Sequence, residues 1–185
     1  FQLAMIVTLR GTQTAVDYYE LLLEEMNDRI RKGISKVEPE RYRLIWDNLP
    51  VWYKMRWFSD KFGAHNAGFV ADTYTSGWCG TLPYLDENDF LGSMAESYTR
   101  IFLNTGIDHM ADNIVKMVEK YDADGVVFHS NRSCKPYSFG QYDIQRIVGE
   151  KTGKPCLMIE ADMCDERKFS ETQVETRIDA FIEML

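Results

Sequence analysis

The stretch DGVVFHSNRSCKPYSFGQYD, residues 124–143, decides how the rest of the chain is read. GVVFH (125–129) is a short apolar run of the kind that is buried on both faces of a parallel sheet. SNRSCKP then breaks the run with polar and turn-forming residues, and a helical pattern resumes over about 138–151. Strand, polar loop and helix form the repeating step of an α/β fold. In an open α/β sheet, ligands bind in the crevice outside the carboxyl ends of the strands. Ser130, Asn131, Arg132, Ser133, Cys134 and Lys135 are therefore candidate binding residues, with Cys134 the candidate for chemistry. The cationic neighbours and a helix N-terminus favour its thiolate, the form that binds metal or attacks carbon.

Working outward, YRLIWD (42–47), AGFVADTY (67–74) and PCLMIEA (155–161) supply three more candidate strands. Helices are predicted over 50–62 with Pro50 in the first turn, and over about 86–103 and 107–121 beyond a loop SGWCGTLP (76–83). The helix over about 138–151 ends at Gly153. A last helix opens at Ser170, where Gln173 completes a capping box, and carries Val174, Ile178, Phe181, Ile182 and Leu185 on one face. This alternation predicts a three-layer α/β fold, flavodoxin-like or Rossmann-like: a parallel sheet of about four strands with helices on both faces. A flavodoxin-like strand order reverses near the first and third strands. It places the loop from Ser130 to Tyr137 near Asp47, Tyr74 and Glu160. Upstream, Ala15, Tyr19, Leu22, Leu23, Met26 and Ile30 repeat at helical spacing over 12–32, and Gly33 follows as a stop. The charged connection SKVEPER (35–41) then separates a helical arm, 1–38, from an α/β domain, 39–185.

A formal charge of −8 and a pI near 4.9 argue against a nucleic-acid partner. No apolar run approaches the roughly 18 to 20 residues that span a bilayer, and FQLAMIVTL lacks the flanks of a signal peptide. A first residue Phe1 rather than Met reads as a piece of a longer polypeptide. Cys79, Cys134, Cys156 and Cys164 are too dispersed for a zinc finger, a self-contained ferredoxin motif or a disulfide scaffold, which points to the reducing cytoplasm. A metal at Cys134 would need most of its ligands from outside this chain.

Other motifs fail on their context. GEKTGK (149–154) is one residue short of a phosphate-binding loop, ends in Pro155 and follows a helix, so a glycine C-cap is the better reading. There is no G-x-G-x-x-G, G-x-S-x-G or H-x-x-x-H. His129 ends a strand and reads as a hydrogen-bonded structural histidine ahead of an acid or base, while His65 and His109 read as surface residues. Glu160 and Asp162 reach the same crevice, either capping loop amides or binding a ligand. Trp46, Trp52, Trp57 and Trp78 read as core or interface.

HSNRSCKPYSFGQYD together with IEADMCDERKFSETQVETRIDAFIEML closely resembles the C-terminal part of the 2-hydroxyacyl-CoA dehydratase family, related to benzoyl-CoA reductases. The resemblance extends through TYTSGW (73–78) and RIFLNTGIDHM (100–110). NRSCKPYS is the specific element and is similar to the α-type subunit. The FCDPEE-like segment of the partner subunit is missing here. The resemblance implies that an ATP-dependent iron–sulfur activator protein delivers one electron to a [4Fe–4S] cluster of a heterodimer. That electron passes to the thioester carbonyl of an (R)-2-hydroxyacyl-CoA, the hydroxyl leaves, and an enoyl-CoA results. It also implies three cysteine ligands per subunit, two from the N-terminal half and one from the C-terminal half. Cys134 matches the last. The catalytic residues and the other ligands would then lie outside this chain, and the isolated piece would be inactive. Ser130, Asn131, Arg132, Ser133, Lys135 and Glu160 would line the substrate side. Two other readings stand beside this one: a non-catalytic α/β binding or assembly module, and a subunit of benzoyl-CoA-reductase type.

Overall fold

A short helix not expected from the sequence, α1 (Leu3–Thr8), precedes α2 (Gln13–Lys32), which the helical spacing over 12–32 forms. The Thr12 hydroxyl accepts from the Ala15 amide at 3.3 Å to cap the start of α2, and Gly33 ends it in the left-handed conformation at φ 65°. These residues belong to a unit that closes at Glu38, and a second unit runs Pro39–Leu185. The computed structural model describes residues 3–185.

The second unit is built on four strands: β1 (Tyr42–Asp47), β2 (Ala67–Asp72), β3 (Gly125–Asn131) and β4 (Cys156–Ala161). Their order is β2-β1-β3-β4 and every pairing is parallel. The chain leaves β1 in one direction and returns beside it with β3, so the order reverses between β1 and β3. The helices between the strands are α3 (Met55–Ala64), α4 (Thr73–Cys79), α5 (Phe90–Thr99), α6 (Ile107–Tyr121), α7 (Lys135–Ser138) and α8 (Gln141–Thr152), and α9 (Glu171–Ile182) follows β4.

Period-two alternation along apolar strands supplies two cores, one on each face of the sheet. Leu44, Trp46, Val127, Leu157 and Ile159 pack with Phe58 and Phe62 of α3 and with Val174, Ile178 and Phe181 of α9. Ile45, Val126, Phe128 and Met158 point the other way, into Ile114, Met117 and Val118 of α6 and Ile144 and Val148 of α8. Burying each such side chain is worth about 1.5–3 kcal/mol, which is what holds the layers together. Gly125 is required by close approach: a Cβ there would stand 2.6 Å from Phe181 Cζ.

Several boundaries differ from the sequence expectation. Pro50 precedes the helix it was expected to open. Trp52 is tethered through its amide to the Met163 carbonyl at 3.1 Å, so Trp52–Lys54 winds as a 3-10 turn and α3 starts only at Met55. The second strand stops at Asp72, whose carboxylate accepts from the Thr75 amide at 2.6 Å and starts α4 where a loop was expected. The helix expected over 86–103 is confined to α5, followed by a 3-10 turn at Phe102–Asn104. Lys135–Ser138 forms a separate turn before α8. Ser170 does sit at the N-cap of α9, but its side chain makes no capping hydrogen bond, so the capping box does not form. Gly153, by contrast, is the left-handed C-cap of α8 at φ 66°.

Candidate functional site

The carboxyl ends of β1 and β3 meet at the order reversal, where a parallel α/β sheet opens its ligand crevice. Ser130 and Asn131 end β3, and Arg132 and Ser133 form the turn to Cys134, which is half-buried at the N-cap of α7. The turn is closely bonded. The Asn131 carbonyl accepts from the Cys134 amide at 3.2 Å and from the Ser138 hydroxyl at 2.9 Å, so both ends of the Cys134 loop meet on one oxygen. Asn131 Oδ1 accepts from the amides of Ser133 (3.2 Å) and Met163 (3.3 Å), joining the loops after β3 and β4.

Each remaining candidate has a definite place. The Ser133 hydroxyl donates to Asp162, whose other oxygen accepts from the amides of Cys164 and Asp165, both at 2.9 Å. Those bonds hold the Asp162 carboxyl below its usual range, and Asp162 is thereby committed to capping its loop. Arg132 pairs with Glu160 at 2.8 Å, both side chains about half exposed. Lys135 opens α7 and is exposed. His129 is fully buried with Nδ1 2.5 Å from the Leu49 carbonyl, and burial lowers its pKa, which suits a neutral structural imidazole. His109 is exposed and His65 lies near the surface beside Asp179. Of the tryptophans, Trp46 is buried and its indole donates to the Leu49 carbonyl at 3.3 Å. The helix after Cys134 is a single turn, so the dipole expected to favour its thiolate is small.

The sequence reading did not assemble the polar network beneath this loop. Asp47, ending β1, is 4% exposed. It accepts from the Thr73 hydroxyl at 2.8 Å and from Gln141 Nε2 at 2.7 Å. Thr73 Oγ1 in turn lies 2.8 Å from the Tyr137 hydroxyl and accepts from the Asn48 amide at 3.0 Å. Asn48 Nδ2 donates to the Ser138 hydroxyl at 3.1 Å. Asn48 holds a left-handed backbone at φ 83°, which asparagine tolerates, with Oδ1 accepting from the next amide at 2.7 Å. Desolvation pushes the Asp47 carboxyl up to about 6, against the opposing pull of Gln141 and Thr73. A small cavity borders Asp47, Thr73, Phe102 and Tyr137. The signal available in the sequence was an acid ending an apolar strand, with Thr73 opening TYTSGW and Tyr137 and Ser138 inside NRSCKPYS.

The 2-hydroxyglutaryl-CoA dehydratase D-component model matches residues 1–185. The chain belongs to that family. It is 36% identical to the (R)-2-hydroxyisocaproyl-CoA dehydratase alpha subunit of Clostridioides difficile over 99% of this chain and 44% of the relative. It is 34% identical to a benzoyl-CoA reductase subunit of Thauera aromatica over 98% of this chain and 44% of that protein. It is 32% identical to the alpha subunit of lactoyl-CoA dehydratase from Anaerotignum propionicum over 99% and 43%. The chain thus spans less than half the length of these relatives.

Family membership raises the question of an iron–sulfur cluster, which the residues themselves can test. Among the described residues, no group of three or more His, Cys, Asp or Glu side chains could hold a metal ion. Cys79 and Cys164 are exposed. Cys156 begins β4, at the edge opposite the crevice, and burial pushes its thiol up to about 11, the wrong direction for a metal thiolate. Cys134 alone combines partial burial, a pinned backbone and a place at the carboxyl edge. These residues fit one corner of a cysteine-ligated cluster. No described helix is long and apolar enough to cross a membrane.

Proposed function

We propose that this chain is the C-terminal α/β part of an α-type 2-hydroxyacyl-CoA dehydratase subunit, with Cys134 one ligand of a [4Fe–4S] cluster completed outside it. The full assembly would eliminate water from an (R)-2-hydroxyacyl-CoA to give an enoyl-CoA. It would work with a second dehydratase subunit and an ATP-dependent iron–sulfur activator. When bound, the cluster supplies one-electron transfer and an iron open to a thioester carbonyl as Lewis acid.

The observation that carries this reading is the seat of Cys134: half-buried, directly after β3 at the order reversal, with its amide bonded to Asn131. Cys134 would hold its share of the cluster at the crevice. Arg132 and Lys135 would offer cationic charge to the cluster sulfides or to the anionic CoA phosphates, with Glu160 orienting Arg132 through their 2.8 Å contact. Ser130 and Ser133 would line the same mouth. Asn131 would act from behind by tying the two loops together.

The nearly equal identity to the benzoyl-CoA reductase relative keeps a reductase-type subunit as the second reading. The two share the Cys134 assignment and part on substrate, so turnover of 2-hydroxyacyl-CoA against aromatic acyl-CoA by the full assembly separates them. Iron and sulfide in the full-length subunit purified without oxygen test the assignment itself. Cys134→Ala is expected to lose most of both, while Cys79→Ala, Cys156→Ala and Cys164→Ala retain them. Undiminished iron in Cys134→Ala would overturn the assignment, and a full-length subunit without iron or sulfide would favour a non-catalytic α/β module.

A further inference from the structure

The buried chain Tyr137–Thr73–Asp47 has a direction that its chemistry fixes. Thr73 has one hydroxyl proton and two lone pairs. The Asn48 amide occupies one lone pair at 3.0 Å, and the proton is given to Asp47 Oδ1 at 2.8 Å. One lone pair remains, so the Tyr137 hydroxyl, 2.8 Å away, is the donor. Gln141 Nε2 closes the far side of Asp47 at 2.7 Å. All of these groups are buried, so each bond is worth more than it would be in water, and a lost partner would leave an unsatisfied polar atom.

The end of this chain is α7, the turn that begins with Cys134. Tyr137 is the buried side chain of α7, whereas Lys135, Pro136 and Phe139 around it are exposed. The Tyr137 ring packs edge-on against Phe102 at 4.9 Å between centroids, and a phenylalanine could do that equally well. The hydroxyl adds only the bond to Thr73. A second tie runs in parallel, from Asn48 Nδ2 through the Ser138 hydroxyl to the Asn131 carbonyl, the oxygen that also receives the Cys134 amide. The carboxyl ends of β1 and β2 therefore grip the Cys134 turn at residues three and four places beyond the cysteine.

We propose that Tyr137, Thr73 and Asp47 form a positioning unit that holds Cys134 at a fixed place on the crevice edge for the cluster. Asp47 anchors, Thr73 relays and Tyr137 grips. None of the three contacts substrate in this role. The proposal rests on the reading of Cys134 as a cluster ligand. Partners bonded directly to a metal ligand commonly change metal affinity or activity by about 10- to 100-fold when removed; this unit acts one step further back, through the turn, so the lower end of that range applies.

The test uses the full-length subunit with its partner subunit, prepared without oxygen, and reads the rate of iron loss to a chelator and the electron paramagnetic resonance spectrum of the reduced cluster. Tyr137→Phe and Thr73→Val are expected to assemble the cluster, release iron about tenfold faster than wild type, and show a broadened or shifted spectrum. Thr73→Ser, which keeps the hydroxyl, restores wild-type behaviour. Val148→Ala, a core truncation in α8 away from the unit, lowers the melting temperature while leaving both readouts unchanged. Wild-type iron loss in both Tyr137→Phe and Thr73→Val overturns the proposal. So does Thr73→Ser behaving like Thr73→Val, or Val148→Ala releasing iron as fast as Tyr137→Phe. Full iron retention in Cys134→Ala instead overturns the underlying ligand assignment, whatever the other variants do.

Discussion

Replacing Asp47 by asparagine is expected to stabilise the fold at neutral pH and leave it unchanged in acid. Burial raises the Asp47 carboxyl from 3.8 to about 6 in the folded chain. The folded state therefore holds this proton more tightly than the unfolded one. The stability that the neutral carboxyl confers is complete below about pH 4 and is lost as pH rises through about 6. Two pKa units at about 1.4 kcal/mol each amount to about 3 kcal/mol of stability lost by pH 7, as an upper figure. Asparagine has the same shape and no charge. Its Oδ1 can still accept from Thr73, and its Nδ2 can donate to Gln141 Oε1 once the Gln141 amide, which donates through Nε2 in the wild type, turns over. Urea unfolding of both proteins from pH 4 to 7.5 reads the effect as a difference. His129, whose pKa is lowered by burial, and Asp162 and Asp165, both lowered by their hydrogen bonds, all lose stability on acidification. They act alike in the two proteins and cancel. Asp47→Asn should be more stable by about 2–3 kcal/mol at pH 7, with the difference closing towards pH 4. A difference that stays constant with pH, or an asparagine variant less stable at every pH, would refute this account of Asp47.

Gly125→Ala drives a Cβ to 2.6 Å from Phe181 Cζ and 2.9 Å from Leu185 Cδ2. The Phe181 ring is fully buried and cannot retreat, so the variant should lose about 1–3 kcal/mol in urea unfolding, and a neutral result would mean that α9 moves freely on the sheet. Glu160→Gln should change stability by less than about 1 kcal/mol, because its pair with Arg132 is half exposed; a larger loss would make the pair a structural strap. The 185-residue chain should fold alone yet fail to hold a stoichiometric cluster on anaerobic reconstitution, since among its described residues no group of three or more metal-ligating side chains comes together. A full [4Fe–4S] centre in that preparation would contradict the shared-cluster reading.

The strands were legible because each is a short apolar run bounded by polar turns, and a parallel sheet covered on both faces demands that pattern. YRLIWD marks β1 as observed, and Ile107–Tyr121 is marked by apolar residues at helical spacing. The order of the strands followed from the connection rules once the alternation was seen. Boundaries set by single hydrogen bonds were not legible. Asp72 turning β2 into α4 depends on one carboxylate reaching one amide, and nothing in TYTSGW distinguishes a helix from a loop. At the site, the loop carrying Cys134 was legible from its composition and its place after a strand. The network beneath it was not, because Asp47, Thr73 and the segment from Tyr137 to Gln141 lie far apart in sequence, and only the β2-β1-β3 strand order brings them together. For Asp162 the sequence left loop capping and ligand binding side by side; the fold shows the capping, with the Ser133 hydroxyl donating to the same carboxylate.

Anomalous diffraction at the iron edge from crystals of the full-length subunit, grown without oxygen, tests the central claim most directly. The account predicts an iron bonded to Cys134 Sγ at the mouth between β1 and β3, with the remaining cysteine ligands drawn from outside these 185 residues. A cluster held entirely by other residues, with Cys134 Sγ out of bonding range, would contradict it.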